Sequence, residues 1–223
     1  AQAVVSATRD IAIVFTAVSD PLGAQLVKDM DKPGGNVTGI SDMSPVADHI
    51  ALIKEITPDA KSVGFVYNTA EANSVSTLAA LKEEAAKAGL EVIESVATKS
   101  AEVQGATRAL VWRADVLYIP TDNTIVSAFE AAVGVAEEAK LPLFAGDTDS
   151  VPRGALAALG FNYFDVGKQT GEVVVRVLKG EAPGDIPVKV AAGTDLVINK
   201  KAAEKMGVTF SDAVLSRATR VVE

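Results

Sequence analysis

The chain has 223 residues, 48% hydrophobic and 22% charged, enough apolar side chains for a sizeable core in one large domain or two small ones. Its 21 Lys and Arg against 29 Asp and Glu leave a formal net charge of −8, which gives no general attraction to nucleic acid or anionic lipid. Cysteine is absent and His49 is the single histidine, which removes disulfides, thiol catalysis, zinc–thiolate centres and histidine-rich metal sites; no metal or cofactor is expected.

In chain order, residues 1–7 read as the end of a helix and residues 11–16 (IAIVFT) as a first strand. Asp20 and Pro21 then have the pattern of an N-cap followed by proline at the first helical position. Residues 29–36 and 40–45 are irregular. Val46–Ile56 reads as a helix, with His49 on its surface or at a contact between lobes. Ser62–Tyr67 and Glu91–Val96 read as strands around a helix whose apolar stripe runs through Val75, Leu78, Ala79 and Ala85 and stops at Gly89. A second stripe holds Val103, Ala106 and Leu110, and Trp112 is expected to pack on that helix. Residues 116–120 form a strand, and Ile125, Phe129, Ala132, Val133 and Ala136 a third helical stripe. Strands at 141–145 and 155–159 follow, then a helix through Val166, Thr170, Val173, Val174 and Val177 ending at Gly180. Residues 180–187 are irregular.

Strands apolar on both faces, alternating with amphipathic helices, predict a doubly wound α/β architecture with parallel sheets. An α/β domain ordinarily opens on a strand, so a βαβα portion is expected upstream of residue 1. No segment approaches the run of about 18 apolar residues that spans a bilayer, and residues 1–20 lack a signal-peptide pattern.

In open parallel sheets, ligands bind beyond the carboxyl ends of the strands. Those ends here carry Ser19 and Asp20; Asn68, Glu71, Asn73 and Ser74; Thr121, Asp122 and Asn123; and Asp147, all small polar or acidic and none basic. Helix capping alone accounts for many of them: Asn73 or Ser74 could cap the helix near Val75, and Asp122 or Asn123 the one near Ile125. As a set they also suit a zwitterion, because a helix N-terminus attracts a carboxylate and nearby aspartates attract an ammonium. Nothing supports catalysis. No dinucleotide or phosphate-binding loop, nucleophile elbow or H-E-x-x-H occurs, and no nucleophile pairs with His49. Asp147 and Asp149 alone are too few oxygens for calcium.

The segments Phe15-Thr-Ala-Val-Ser-Asp-Pro-Leu-Gly23, Asn36-Val-Thr-Gly-Ile40, Glu71-Ala-Asn-Ser74, Tyr118-Ile-Pro-Thr-Asp-Asn123, Gly160-Phe-Asn-Tyr163 and Leu196-Val-Ile-Asn199 resemble bacterial ABC-transporter solute-binding proteins of the tryptophan- and aromatic-amino-acid-binding group. The resemblance covers essentially the whole chain. It implies a type I periplasmic-binding-protein fold, two Rossmann-like lobes joined by three crossovers with a small ligand trapped between them. On that pattern residues 1–41 plus 161–192 form a partial first lobe and 46–160 plus 193–223 the second. It further implies that Asn73, Ser74 and their helix N-terminus receive a carboxylate, that Asp147 with Asp122 receives an ammonium, and that Tyr67, Phe161 or Tyr163 packs on the ligand side chain. The implied function is a non-catalytic receptor, periplasmic or extracellular and possible as a membrane-anchored lipoprotein. It delivers an amino acid or similarly small zwitterion, with an aromatic or branched amino acid favoured, to an ABC permease, with no nucleic-acid partner and with self-association open to the incomplete lobe. Two rivals share such scaffolds: the effector-sensing domain of a lactose-repressor-like transcription regulator, and an enzyme on a flavodoxin- or Rossmann-like sheet.

Overall fold

The computed structural model describes all residues, 1–223. Its strands are β1 (Ile13–Thr16), β2 (Val37–Ser41), β3 (Ser62–Tyr67), β4 (Glu91–Val96), β5 (Val116–Ile119), β6 (Leu143–Ala145), β7 (Ala157–Gly160), β8 (Lys189–Val190), β9 (Asp195–Asn199) and β10 (Arg220–Val222). Its α-helices are α1 (Gln2–Ala7), α2 (Val46–Ile56), α3 (Ala72–Lys87), α4 (Val103–Arg108), α5 (Asn123–Val126), α6 (Phe129–Ala139), α7 (Tyr163–Leu178), α8 (Lys200–Met206) and α9 (Asp212–Arg217). The chain divides into a smaller unit, residues 1–44 and 161–193, and a larger one, residues 45–160 and 194–223.

The larger unit is built on a seven-stranded sheet of order β10-β9-β7-β6-β5-β3-β4, parallel throughout except where β9 runs antiparallel to β7. Strands β3, β5 and β6 are buried at every position, as strands covered by helices on both faces must be. That is why their sequences are continuous apolar runs rather than alternations. Phe65, Leu81, Leu117, Tyr118, Phe129 and Leu143 are among the large, fully buried members of one contiguous core. In it α2 packs on α3, and α6 packs on both α4 and α8. At Gly64, mid-β3, a Cβ would lie 2.9 Å from side-chain methyls of Leu110, in the turn after α4, and of Leu117 on β5, so a larger residue there must displace the packing over the strand.

The smaller unit has a three-stranded parallel sheet, β1-β2-β8, with α7 packed on β1 and β2. Val5, Phe15, Leu26, Val27, Val37 and Val188 form one cluster, and Ile40, Phe161, Val166, Val173, Ile186 and Ala191 another. Helix α7 begins where the Asn162 side chain accepts from the Phe164 and Asp165 amides and buries Val166, Thr170 and Val173 at helical spacing.

Several local expectations need correction. β2 (37–41) departs from expectation: residues 37–39 read as no element and 40–41 as part of an irregular stretch, because Gly39 breaks the strand pattern; that glycine is required, since a Cβ there would collide with the Phe15 carbonyl on β1. Residues 21–26 make a turn rather than a helix, with the Asp20 carboxylate accepting from the Gly23 amide at 2.8 Å. The third stripe is two helices, α5 and α6, interrupted at residues 127 and 128. His49 is buried at 3% exposure. Trp112, expected to pack, lies past the end of α4 with φ +65° and is 94% exposed.

Candidate functional site

The carboxyl ends of β3, β5 and β6 lie side by side in the larger unit, and the loops that leave them share one hydrogen-bond network. Asn68 follows β3. Its amide donates to Asp122 Oδ2 at 2.8 Å, its Oδ1 accepts from the Ala70 amide, and its Nδ2 donates to Thr124 Oγ1. Asp122, which is wholly buried, caps α5 by accepting from the Ile125 amide on Oδ1, and it accepts from Ser74 Oγ at 2.6 Å on Oδ2. Burial pushes its carboxyl above the usual aspartate range, against the pull of these donors.

Glu71 precedes α3 but does not cap it. Its carboxylate reaches across to α5, with Oε2 accepting from the Asn123 amide and Nδ2 and Oε1 from the Thr124 amide and hydroxyl, at 2.7–2.9 Å. Partial burial raises its pKa, but the four donors outweigh this and hold it below the ordinary glutamate range. Glu71 and Asp122 together therefore satisfy the start of α5. Asn73 Nδ2 donates to the Thr121 carbonyl at 2.8 Å. Neither Asn73 nor Ser74 caps α3, whose 16 residues begin with no side-chain cap. The first-turn amides of α3 remain a local concentration of positive potential.

One strand further along, Asp147 caps the 3₁₀ turn Thr148–Ser150, accepting from the Ser150 amide at 2.8 Å and the Ser150 hydroxyl at 2.7 Å. Burial raises its pKa as well. The preceding Gly146 lets this turn lie against the end of β5; a Cβ there would be 3.3 Å from the Thr121 amide and 3.1 Å from the Tyr118 hydroxyl. Beneath the rim, His49 Nε2 and the Leu159 carbonyl are 2.6 Å apart, and His49 Nδ1 and the Tyr118 hydroxyl 2.7 Å. A carbonyl only accepts, so Nε2 carries the proton and Tyr118 donates to Nδ1. Burial drives the imidazole pKa down to about 4.

The structure thus brings Asn68, Glu71, Asn73, Ser74, Thr121, Asp122 and Asn123 into one network, with Asp147 beside it. Within that network the carboxylates of Glu71 and Asp122 and the hydroxyl of Ser74 are occupied by the chain itself. Tyr67 is a core residue: it is buried against Phe65, with ring centroids 5.3 Å apart, and its hydroxyl donates to Glu94 at 2.8 Å. Phe161 is likewise part of the smaller unit's apolar cluster.

In the smaller unit the ends of β1 and β2 carry a separate constellation. Ser19 Oγ donates to Asp42 Oδ1 at 2.9 Å, the Tyr163 hydroxyl donates to Asp42 Oδ2 at 3.1 Å, and Ser41 Oγ donates to the Ser19 carbonyl at 3.0 Å. Asp42 was missed because β2 was not recognised; as a strand-end acid it has the same signature as Asp122 and Asp147. Thr124 and Ser150, each beside a named residue, were also missed.

The chain is 45% identical over 200 residues to the tyrosine-binding protein of Clostridioides difficile, covering 90% of this chain and 58% of that protein. It spans less than three fifths of the length of the curated relatives it matches. A conserved domain protein from Vibrio cholerae superposes with a TM-score of 0.96 at 54% identity, over 99% of this chain and 74% of that one. An ABC domain from Streptococcus pneumonia, solved in complex with L-Trp, gives 0.94 at 39% identity, over 99% of this chain and 77% of that one. The fold is accordingly that of the type I periplasmic binding proteins, and a solute-binding lineage is favoured over the regulator reading. The model of the ABC transporter substrate binding protein family matches residues 1–222, and the chain belongs to that family.

Proposed function

We propose that the chain is the ligand-binding part of an extracytoplasmic receptor that presents an aromatic amino acid to an ABC permease and transforms nothing. The observation that carries this reading is the contrast along the larger unit's rim. Asp122 and Asp147 close off the structures that follow β5 and β6, while α3, after β3, starts with no side-chain cap. An uncapped N-terminus on a helix of four turns is a place for a carboxylate, and it lies in the same strand-end row as Asp147, a buried carboxylate suited to an ammonium. The tyrosine-binding and L-Trp-bound relatives support the aromatic class.

A thermal-shift series across the twenty amino acids tests the proposal. Tyrosine, tryptophan and phenylalanine should raise the melting temperature, since a ligand at 100 times its Kd adds about 2.7 kcal/mol. A flat response to all twenty would overturn it.

A further inference from the structure

A carboxylate receives a ligand's ammonium well only where no cation of the chain already neutralises it. Asp147 is 8% exposed, and one residue orients it: Ser150, whose amide reaches Oδ1 and whose hydroxyl reaches Oδ2. These donors fix the group but carry no charge. Asp147 takes part in none of the chain's ion pairs.

One cation is nevertheless close. Arg153 follows the Asp147–Ser150 turn by three residues, and the two charges act on each other. Burial and the Asp149 charge raise the Asp147 pKa, while the Ser150 donors and the Arg153 charge pull it back. The Arg153 pKa is raised chiefly by its bond to Glu130, and further by the charges of Glu130 and Asp147.

Arg153 is drawn away from the rim by a set of anchors. Its Nε donates to Glu130 Oε1 at 2.7 Å and its Nη2 to Glu130 Oε2 at 2.9 Å, a bidentate pair. Nη2 also donates to the Val126 carbonyl at 2.8 Å, and the guanidinium carbon lies 5.2 Å from the centroid of the Phe129 ring. Val126 closes α5, and Phe129 and Glu130 open α6. Glu130 is the one anchor with a charge, and the Arg153 bonds hold its carboxyl down at about 2.

We propose that Glu130 is a positioning residue for the ligand site: by clamping Arg153 against α5 and α6, it leaves the charge of Asp147 to the α-ammonium of the bound amino acid. The proposal rests on the amino-acid reading above and lies wholly within the larger unit. Without Glu130 the guanidinium loses its carboxylate partner, and the charge of Asp147, which it already feels, draws it to the rim. The ligand's ammonium then has to displace a guanidinium.

Titration calorimetry with L-tyrosine and its amine-free counterpart, 3-(4-hydroxyphenyl)propionate, tests this in a double-mutant cycle. Glu130→Ala should weaken L-tyrosine binding about two- to fivefold, the range of one partly exposed ion pair, and leave the amine-free acid unchanged. Adding Arg153→Met, which keeps an apolar stem on Phe129 and removes the charge, should restore the wild-type affinity; a residue needed only for the fold would show a second loss instead. Unchanged L-tyrosine affinity in Glu130→Ala, equal weakening of both ligands, or no recovery in the double variant overturns the proposal. Should Glu130→Ala fail to fold by circular dichroism, Glu130→Gln, which keeps the length and removes the charge, is judged by the same outcomes. Asp147→Asn separates the two levels. If it weakens L-tyrosine alone while Glu130→Ala does nothing, the clamp is refuted and the amino-acid reading stands; if it leaves L-tyrosine binding unchanged, the ammonium role of Asp147 fails and the clamp with it.

Discussion

Acidification should weaken the larger unit through His49 well before most carboxylates titrate. The imidazole is held neutral at a pKa of about 4, chiefly because burial removes it from water; the Leu159 carbonyl and the Asp48 charge pull the other way but do not restore the usual value. In the unfolded chain the same group has a pKa of about 6.5. Above that value both states are neutral and the site contributes no pH dependence. As pH falls below it the unfolded state gains a proton that the folded state refuses, so stability declines until the folded pKa is reached. The full loss is roughly 3 kcal/mol, of which about 2 kcal/mol is gone by pH 5. His49→Gln removes the titration while keeping an amide able to donate to Leu159 and accept from Tyr118. Urea unfolding followed by far-ultraviolet circular dichroism at pH 7, 6 and 5 should show the stability gap between wild type and variant shrinking by about 2 kcal/mol over that range. A constant gap would mean that folded His49 takes up a proton as readily as the unfolded chain does, and a gap that widens would mean that the ring is charged in the fold; either result would refute the neutral, buried imidazole.

Asp122→Ala strips the cap from α5 and leaves the Asn68 amide and Ser74 hydroxyl without their buried acceptor, so it should cost roughly 2–4 kcal/mol in urea melts; a loss under about 1 kcal/mol would show that these groups find water. Asp147→Ala should lower amino-acid affinity about tenfold or more and cost roughly 1–3 kcal/mol of stability, since the buried Ser150 amide and hydroxyl lose their acceptor; unchanged affinity with lowered stability would make Asp147 a cap and nothing else. Gly64→Ala drives a methyl into Leu110, Leu117 and Ala114 and should destabilise by about 1–3 kcal/mol; a neutral result would mean that α4 and its following turn can shift outward.

What could be read from residue order was the part governed by local pattern. Ser62–Tyr67 and Glu91–Val96 coincide with β3 and β4 because each is β-branched and bounded by turn residues. Helices α3 and α7 were visible from their apolar spacing, with the glycines that stop them. β2 and β9 were not, because Gly39 in one and Asp195 and Asn199 at the ends of the other dilute a pattern that only pairing with neighbours completes. His49 could not be placed in the core from sequence, since its burial depends on Tyr118 and Leu159, 69 and 110 residues away, which satisfy both ring nitrogens. The same limit applies to the rim. The residue types at the strand ends were legible, but their division of labour was not. Whether Glu71 faces a ligand or caps α5 is decided by Asn123 and Thr124 across a gap of about fifty residues.

Trp112 is the single tryptophan of the chain, and it stands almost wholly in water. An indole already solvated in the native state emits near the red limit of its range, and unfolding leaves it in the same surroundings. Its fluorescence should therefore hardly shift through the transition, and an acrylamide quencher should reach it equally well before and after. A melt read by tryptophan emission would look flat even while Phe65, Tyr118 and Phe129 come apart. That silence makes Trp112 a steady internal reference, against which quenching or energy transfer involving an aromatic ligand can be measured with little background from the fold.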